Sequence, residues 1–242
     1  MGAAVRRAAA LTGLGVLSLL GALLVFQPVD LIQSTDMRKP GVVYSIDTQR
    51  SAVALTLDDG PDAATTPELL DLLQRHGARA TFFLLATNVP GNEELLRRMV
   101  AEGHELGNHL ATDEPSILLG PEGFERAAEQ AHGLLREYGE VRWLRPGSGW
   151  YNGSMLETAG RYGYRVALGS VYPFDAMLPF PGLAARYILW RARPGSIIVL
   201  HDVGPRGERT LATLESVLPE LKRRGYQVIT LSELAALGEG EG

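Results

Sequence analysis

From residue 51 onward, short apolar runs typical of strands alternate with segments in which apolar residues recur at helical spacing. The strand-like runs are residues 52–57, 80–85, 141–144, 164–169, 196–200 and 227–231. The helical spacing of three or four residues is clearest in residues 67–75, 93–101, 124–135, 156–162 and 211–221. Strands that alternate with helices pair in parallel through right-handed crossovers. The pattern predicts an α/β fold, and about seven strand–helix units favour a nearly closed barrel over an open doubly wound sheet.

The first 26 residues differ from the rest of the chain. Arg6 and Arg7 precede residues 8–26, a run of 19 residues without a charged side chain. A helix of that length spans the roughly 30 Å core of a bilayer at about 1.5 Å per residue. The run is longer than most signal-peptide cores, and no small-residue cleavage site follows it. We expect an N-terminal hydrophobic helix that anchors the protein in a membrane, with the rest of the chain on the extracytoplasmic side. Cleavage of this segment, which would give a secreted protein, is the alternative.

Pro28, Pro40 and Gly41 interrupt residues 27–50, which sustain no helical or strand period, so we expect a linker there. Residues 51–238 are predicted to form the folded domain, followed by a short tail at 239–242.

Composition excludes several classes of function. Arg6 and Arg7 are two of the 23 basic residues, so 21 basic side chains stand against 28 acidic ones in the rest of the chain. A mildly acidic domain without clusters of Lys and Arg is not typical of nucleic-acid-binding proteins. The chain contains no cysteine, which excludes thiol catalysis, thiolate metal sites and disulfide bonds.

Two adjacent carboxylates end the first predicted strand of the domain. Asp58 and Asp59 lie in the sequence Thr-Leu-Asp-Asp-Gly-Pro. Neighbouring residues of a strand point to opposite sides, so one carboxylate can bind a metal while the other has a second role once the chain turns. Asp-Asp-Gly-Pro is also an ordinary turn sequence, and the motif by itself leaves both interpretations open.

A second polar group follows Gly107 and Asn108. His109 and Asp113 are four residues apart, and their side chains can converge on one ion if the segment coils. A nitrogen ligand with carboxylate oxygens suits Zn²⁺ and related divalent ions. The alternative is a surface loop that carries two histidines, His104 and His109.

Two further polar groups lie at strand ends. Arg145 and the Gly-rich residues 147–150 follow the strand predicted at residues 141–144, and His201 ends the very apolar run 196–200. An arginine can hold a carboxylate in a bidentate pair, and the backbone N–H groups of a Gly-rich turn can stabilise an oxyanion. A histidine is suited to proton transfer near neutral pH.

Together and in this order, these motifs resemble those of the polysaccharide deacetylase family with the NodB-homology domain, carbohydrate esterase family 4. The resemblance covers about residues 51–237. It implies a distorted (β/α)7 barrel of the NodB-homology type, a divalent metal ion that is usually zinc, and hydrolysis of the acetyl group of an amino sugar in a polysaccharide.

The resemblance also implies roles for the two carboxylates and the segment at His109. The family motif Thr-Phe-Asp-Asp-Gly falls on residues 56–60, with leucine in place of phenylalanine. Asp58 is then the catalytic base and Asp59 a metal ligand. The motif His-x-x-x-His falls on His109 and Asp113, so an aspartate replaces its second histidine. We expect Asp113 to be the third metal ligand.

The remaining motifs match less completely. Arg-Pro-Pro-Tyr-Gly falls on residues 145–149, with glycine and serine replacing the second proline and the tyrosine. Arg145 is then the partner of the base. The residues expected to bind the oxyanion and the substrate are Ser148, Gly149 and Trp150. Leu-x-His becomes Val-Leu-His, with His201 as the catalytic acid, and Asp-x-x-Asp-Trp survives only as Asp175, which is expected to orient His201.

The aspartate at position 113 bears on the choice of metal. A second carboxylate adds a negative charge to the ligand set and weakens the bound ion as a Lewis acid. We therefore expect one divalent ion, zinc first, with Mn²⁺, Co²⁺ and Fe²⁺ as competitors.

The leading hypothesis is metal-dependent removal of the N-acyl group of amino sugars in a chitin-like, peptidoglycan or exopolysaccharide chain. The alternatives are deacylation or deformylation of a lipid-linked amino sugar, O-deacetylation of xylan, a non-catalytic carbohydrate-binding relative and a metal-free amide hydrolase. The expected partners are an acylated glycan and, through the N-terminal helix, a membrane. No feature of the sequence identifies a protein partner.

Overall fold

The structure is a computed structural model that describes residues 39–240. The predicted N-terminal hydrophobic helix and the first half of the predicted linker, residues 27–38, lie outside the described residues. Within residues 39–240, no helix has both the length and the apolar character needed to cross a membrane. The chain from Gly41 onward forms one compact unit.

In the described part of the chain, eight strands form one sheet. They are β1 (Val42–Val43), β2 (Ala52–Asp58), β3 (Ala80–Leu84), β4 (Glu105–Asn108), β5 (Trp143–Leu144), β6 (Arg165–Ala167), β7 (Ile197–His201) and β8 (Gln227–Ile229). Their order is β1-β6-β5-β4-β3-β2-β7, with β8 beside β2, and all pairs are parallel. Val171, which follows β6, makes a parallel bridge to Ile198 in β7. The bridge connects the segment after β6 with the strand at the opposite end of the strand order. The predicted α/β fold with a parallel sheet is confirmed.

Seven α-helices connect or follow the strands within residues 39–240. They are α1 (Thr65–His76), α2 (Glu93–Ala101), α3 (Gly120–Leu135), α4 (Gly153–Arg161), α5 (Pro181–Arg191), α6 (Gly204–Arg223) and α7 (Leu231–Glu239). Helical spacing predicted the five helices α1, α2, α3, α4 and α6. Short 3-10 turns lie at Ala86–Asn88, Ser116–Leu118 and Gly147–Gly149.

The sheet is covered by helices, and its central strands form the core. Every residue of β2 is buried, as expected for a parallel strand packed on both faces. Leu55 and Leu57 of β2 lie in one cluster with leucines of α1 and α6, such as Leu69 and Leu218. Truncating one such leucine to alanine costs about 2–5 kcal/mol of stability. The carboxyl ends of these strands are therefore a rigid base for polar side chains.

The predicted linker, residues 27–50, extends too far into the domain. Val42 and Val43 pair with Val166 and Ala167 of β6, and both valines are buried. A strand of two residues is too short to show the alternation that marks a strand in a sequence. The helix α7 likewise ends at Glu239, inside the predicted tail.

Candidate active site

The turn after β2 presents two buried carboxylates. Asp58 is 4% exposed and Asp59 2% exposed. Asp59 has a left-handed backbone conformation, with φ of 74°, which aspartate tolerates better than most residues. Its N–H donates to the carbonyl of Phe83 at 3.1 Å, and Asn88 Nδ2 donates to its carbonyl at 2.7 Å. The backbone of Asp59 is therefore held on both sides by β3 and the turn that follows β3.

Backbone strain is concentrated around the predicted site. Within residues 39–240, the non-glycine residues with positive φ are Asp59, Leu110, Ser148 and Phe174. Asp59 and Ser148 are predicted site residues, Leu110 follows His109, and Phe174 precedes Asp175. Such conformations cost about 1–3 kcal/mol each and persist where the surrounding structure holds them. The fold therefore keeps strained backbone conformations at the predicted site residues or directly beside them.

Asp58 and Arg145 form a buried ion pair. Arg145 Nη1 lies 2.5 Å from Asp58 Oδ1 and donates to Thr56 Oγ1 at 2.9 Å. Nε and Nη2 donate to the backbone carbonyls of residues 167–168 at 3.0 and 2.7 Å. The guanidinium lies over the ring of Phe83, 4.0 Å from its centroid. The guanidinium is thus held from several directions and fixes one oxygen of Asp58.

His201 lies beside Asp58 on the neighbouring strand. The β2–β7 register pairs Asp58 directly with His201, and His201 Nδ1 donates to Asp175 Oδ2 at 2.7 Å. Burial lowers the pKa of His201, but the hydrogen bond and charge of Asp175 outweigh it, with further help from Asp58 and Asp59, so the pKa lies above its ordinary value. Because Asp175 takes Nδ1–H, Nε2 remains as the nitrogen for proton transfer.

His109 follows β4 and is oriented by a backbone bond. Its Nδ1 donates to the carbonyl of Arg145 at 2.7 Å. Its Nε2 lies 3.4 Å from Asp59 Oδ1 and 3.9 Å from Asp58 Oδ2. Metal-binding histidines are commonly held in this way, with one ring nitrogen donating to a backbone carbonyl. Burial lowers the pKa of His109, but the charges of Asp58 and Asp59 outweigh it and raise the pKa above its ordinary value.

Arg206, near the start of α6, lies between Asp59 and Asp113. Its Nη1 is 2.9 Å from Asp59 Oδ2, without the alignment of a hydrogen bond, and its Nη2 donates to Asp113 Oδ2 at 2.8 Å. In the described part of the chain, no three His, Asp or Glu side chains are grouped so that they could hold an ion. The structure thus brings Asp59 and His109 together, and joins Asp113 to Asp59 through a guanidinium. Sequence reasoning missed Arg206.

Two of the three predicted metal ligands fit a divalent ion. Asp59 Oδ2 is buried and has no hydrogen-bond partner, and His109 Nε2 faces the same carboxylate. A carboxylate oxygen beside an imidazole nitrogen is a donor set that Zn²⁺ and its divalent relatives accept. The role of Asp113 as the third ligand stays a prediction.

The departure from the third family motif has a packing reason. Gly147 N–H donates to Ser116 Oγ at 2.5 Å, and a Cβ atom at position 147 would lie 2.2 Å from the backbone oxygen of Glu114. Proline, which the family motif has here, could neither donate this bond nor fit this space. The loop at residues 114–116 and the turn after β5 therefore fit each other.

The turn predicted to bind the oxyanion is partly used by its own backbone. Gly149 N–H donates to the carbonyl of Pro146 at 3.1 Å, so this donor serves the turn itself. Ser148 has a left-handed conformation, with φ of 61°, and Trp150 is 69% exposed. The substrate-binding roles of Ser148 and Trp150 stay predictions.

Asp202, the residue after His201, is a second side chain that sequence reasoning missed. It is fully buried and accepts hydrogen bonds from the hydroxyls of Thr65 and Thr66 at 2.8 and 2.6 Å. Burial raises its pKa to about 7. A Cβ atom at Gly60 would lie 2.9 Å from Asp202 Oδ2, so the Asp-Asp-Gly turn needs its glycine for this close approach. Asp202 ties the end of β7 to the start of α1.

Known proteins share this fold and these motifs. Residues 45–167 match the family model described as Polysaccharide deacetylase. The Peptidoglycan-N-acetylglucosamine deacetylase of Bacillus cereus is 35% identical over 206 residues, which cover 80% of this chain and 92% of that protein. The Chitooligosaccharide deacetylase of Sinorhizobium fredii is 34% identical over 199 residues, which cover 77% and 93%.

A solved structure of a deacetylase has a similar fold. The Bc1960 peptidoglycan N-acetylglucosamine deacetylase has a TM-score of 0.75 and 27% identity, and the match covers 80% of this chain and 92% of that one. The family expected from the sequence motifs is confirmed. The chain therefore belongs to the polysaccharide deacetylase family and is a hydrolase of the deacetylase type.

Proposed function

We propose that this protein removes the N-acetyl group of an amino sugar in a polysaccharide, with Asp58 as the base and His201 as the acid. The observation that carries the proposal is the register of β2 and β7, which pairs Asp58 with His201 at the carboxyl ends of these strands. Each has its own buried partner, Arg145 for Asp58 and Asp175 for His201. The names of the two curated relatives support an N-acetylated glycan as the substrate.

Asp58 acts on the attacking water. Arg145 occupies its Oδ1, which leaves Oδ2 to accept a proton. As Asp58 takes this proton, the water oxygen bonds to the acetyl carbonyl carbon and a tetrahedral intermediate forms. Because Arg145 and Thr56 fix the carboxylate before the substrate arrives, little reorganisation is needed in the transition state.

His201 completes the reaction. Its Nε2 proton passes to the amide nitrogen as the carbon–nitrogen bond breaks, which releases acetate and the free amino sugar. The pKa of His201 lies above its ordinary value, which favours the protonated imidazole that this step needs. Asp175 orients the ring and stabilises its charged form.

Asp59 and His109 would hold the divalent ion of the family, and we propose Asp113 as the third ligand, with Zn²⁺ first and Mn²⁺, Co²⁺ or Fe²⁺ as alternatives. Such an ion supplies Lewis-acid polarisation of the acetyl carbonyl and lowers the pKa of a bound water from about 15.7 toward 7. The chain's own part is to present the carboxylate of Asp59 and Nε2 of His109 side by side.

We propose an extracytoplasmic site of action, because the apolar run at residues 8–26 has the length of a membrane anchor. Cell fractionation of the full-length chain, with proteinase treatment of intact cells, tests this. A protein that fractionates with the cytoplasm would contradict the proposal.

The function is tested by incubating the full-length protein with N-acetylated chitooligosaccharides, peptidoglycan fragments and a lipid-linked amino sugar, each with Zn²⁺, Mn²⁺ or Co²⁺. Released acetate and formate are measured, and Asp58→Asn is the inactive control. We expect acetate from a glycan. Formate from the lipid-linked sugar would support the lipid-linked alternative. Glycan binding without any product would support a non-catalytic relative, and full activity after chelation would support a metal-free hydrolase.

A further inference from the structure

Arg206 brings a positive charge against two of the proposed metal ligands, Asp59 and Asp113. Its Nη1 lies 2.9 Å from Asp59, which is 2% exposed at its side chain, and its Nη2 is 2.8 Å from Asp113. The arginine side chain itself is 29% exposed. One guanidinium thus bridges two carboxylates that the sequence motifs assign to the same ion.

The packing of α6 against α1 places Arg206. Gly204 N–H donates to Asp62 Oδ2 at 3.0 Å, which ties the first turn of α6 to the chain just before α1. Gly207 lies so close to α1 that a Cβ atom there would be 2.6 Å from Thr65 Oγ1. The residues on both sides of Arg206 are therefore held against α1 and the chain just before it. This packing fixes the backbone of Arg206 within side-chain reach of Asp59.

The charges of the site are balanced by groups of the chain itself. Arg145 neutralises Asp58, and His201 donates a hydrogen bond to Asp175. Arg206 faces the remaining two carboxylates, Asp59 and Asp113. Because a guanidinium keeps its proton in proteins, this positive charge is permanent. A divalent ion that binds Asp59 and Asp113 must displace Arg206 or tolerate it at short range, where like charges repel strongly in a partly buried site.

Arg206 is easier to displace than Arg145. The contact between Arg206 Nη1 and Asp59 Oδ2 lacks hydrogen-bond alignment, and the partner carboxylate of Asp113 is 51% exposed. Arg145, by contrast, is 3% exposed and donates hydrogen bonds to four different acceptors. The exposed side of Arg206 gives the guanidinium a path into solvent.

We propose that Arg206 is a tethered cation that competes with the divalent metal ion for Asp59 and Asp113, and so sets the metal affinity of the site. This inference rests on the proposed function only for the identity of the competing ligand, a divalent cation held by Asp59. Its consequence is a site that holds its two carboxylates in place without metal and binds the ion more weakly than the same ligands would alone.

Direct metal binding tests the proposal. The full-length protein is freed of metal by chelation and dialysis, and Zn²⁺ and Mn²⁺ are titrated calorimetrically at pH 7 into the original protein and Arg206→Gln. We expect Arg206→Gln to bind the ions about 10 to 100 times more tightly, because a competing charge is gone. The matched control is Arg223→Gln, which removes a charge paired with Glu220 at the other end of α6 and should leave the affinity unchanged.

A double variant tests the part played by Asp113. If Arg206 withholds Asp113 from the ion, Arg206→Gln combined with Asp113→Asn loses most of the gain seen in Arg206→Gln alone. Affinity in the double variant equal to that of Arg206→Gln would overturn the role of Asp113. Should Arg206→Gln fail to fold by circular dichroism, Arg206→Met, which preserves the length of the chain stem, replaces it.

The proposal is overturned if Arg206→Gln binds Zn²⁺ and Mn²⁺ with unchanged or weaker affinity, or if neither protein binds either ion. Failure of the proposed function is a separate result. It is seen as the absence of acetate release by the original protein with every ion, whatever the measured affinities.

Discussion

The candidate active site contains two carboxylate–arginine pairs, Asp58–Arg145 and Asp59–Arg206, and they differ in how they are built. The proposed proton-transfer half consists of Asp58, Arg145, Asp175 and His201, and the proposed metal-binding half consists of Asp59, His109, Asp113 and Arg206. Arg145 is 3% exposed, whereas Arg206 is 29% exposed. The first arginine holds its carboxylate in hydrogen-bond geometry, and the second approaches its buried carboxylate without that alignment.

The difference follows from the elements that carry the side chains. Asp58 and His201 are the last residues of two paired core strands, and Arg145 directly follows a third. Asp113 lies on a loop and Arg206 in the first turn of an outer helix. Side chains at strand ends are held in position by the rigid core. The positions of side chains on loops and helix starts depend instead on how the outer helices pack. The Asp58–Arg145 pair is therefore fixed in advance, whereas Asp113 and Arg206 can rearrange beside Asp59 and His109, which also directly follow core strands.

The largest effect expected is on turnover. Asp58→Asn removes the proposed base and should lower kcat by about two to four powers of ten, measured as acetate release from the best glycan substrate. Asp71→Asn, in an exposed ion pair with Arg98, is the matched control and should keep normal kcat. Near-normal turnover in Asp58→Asn would assign the base to another group.

A comparison of stability addresses the two arginines directly. Arg145→Met leaves Asp58 buried without its partner and should lower the free energy of unfolding by about 3–5 kcal/mol. Arg206→Met removes partly solvated contacts and should cost about 1 kcal/mol or less. Urea denaturation of both variants measures these losses. Equal losses of the free energy of unfolding in the two variants would contradict the difference between the two arginines.

The pH dependence of the acid provides a third test. Below its unfolded-state pKa, protonated His201 contributes its full stabilisation through Asp175, and this is lost as the pH rises through the higher folded-state pKa. Asp175→Asn removes the charge that outweighs burial, so the pKa of His201 should fall and the alkaline limb of kcat/KM should move to lower pH. We expect a roughly tenfold loss of kcat at neutral pH.

The measurements are the pH–rate profile and an NMR titration of His201. An alkaline limb that stays in place in Asp175→Asn would mean that His201 does not set it.

The smallest effect concerns the rim of the site. Trp150 is 69% exposed, so Trp150→Ala should change the free energy of unfolding by no more than about 0.5 kcal/mol. If Trp150 contacts the glycan, KM should rise roughly threefold to tenfold with little change in kcat. Trp190→Ala, 51% exposed on α5, is the control, and an equal KM in both variants would remove Trp150 from the substrate-binding residues.

Sequence reasoning found the elements that carry strong periodic patterns and missed those held by their neighbours. The helix α1 is evident from its leucines and its terminal Gly77. The strand β4, with the sequence Glu-Leu-Gly-Asn, has little strand propensity. It forms because it pairs between β3 and β5, and Gly107 leaves the space that the ring of Phe83 fills.

The same division applies to the site and to the protein as a whole. The sequence by itself determined the α/β class through its alternating periodic segments. It determined the family and the candidate base, acid and first metal ligands through short motifs at the ends of core strands. Only the tertiary structure decided that Arg206 stands between Asp59 and Asp113, and that Asp202 joins His201 to α1. Those contacts depend on how closely α6 packs on α1 at Gly207, which is a property of the assembled layers and leaves no local pattern in the chain.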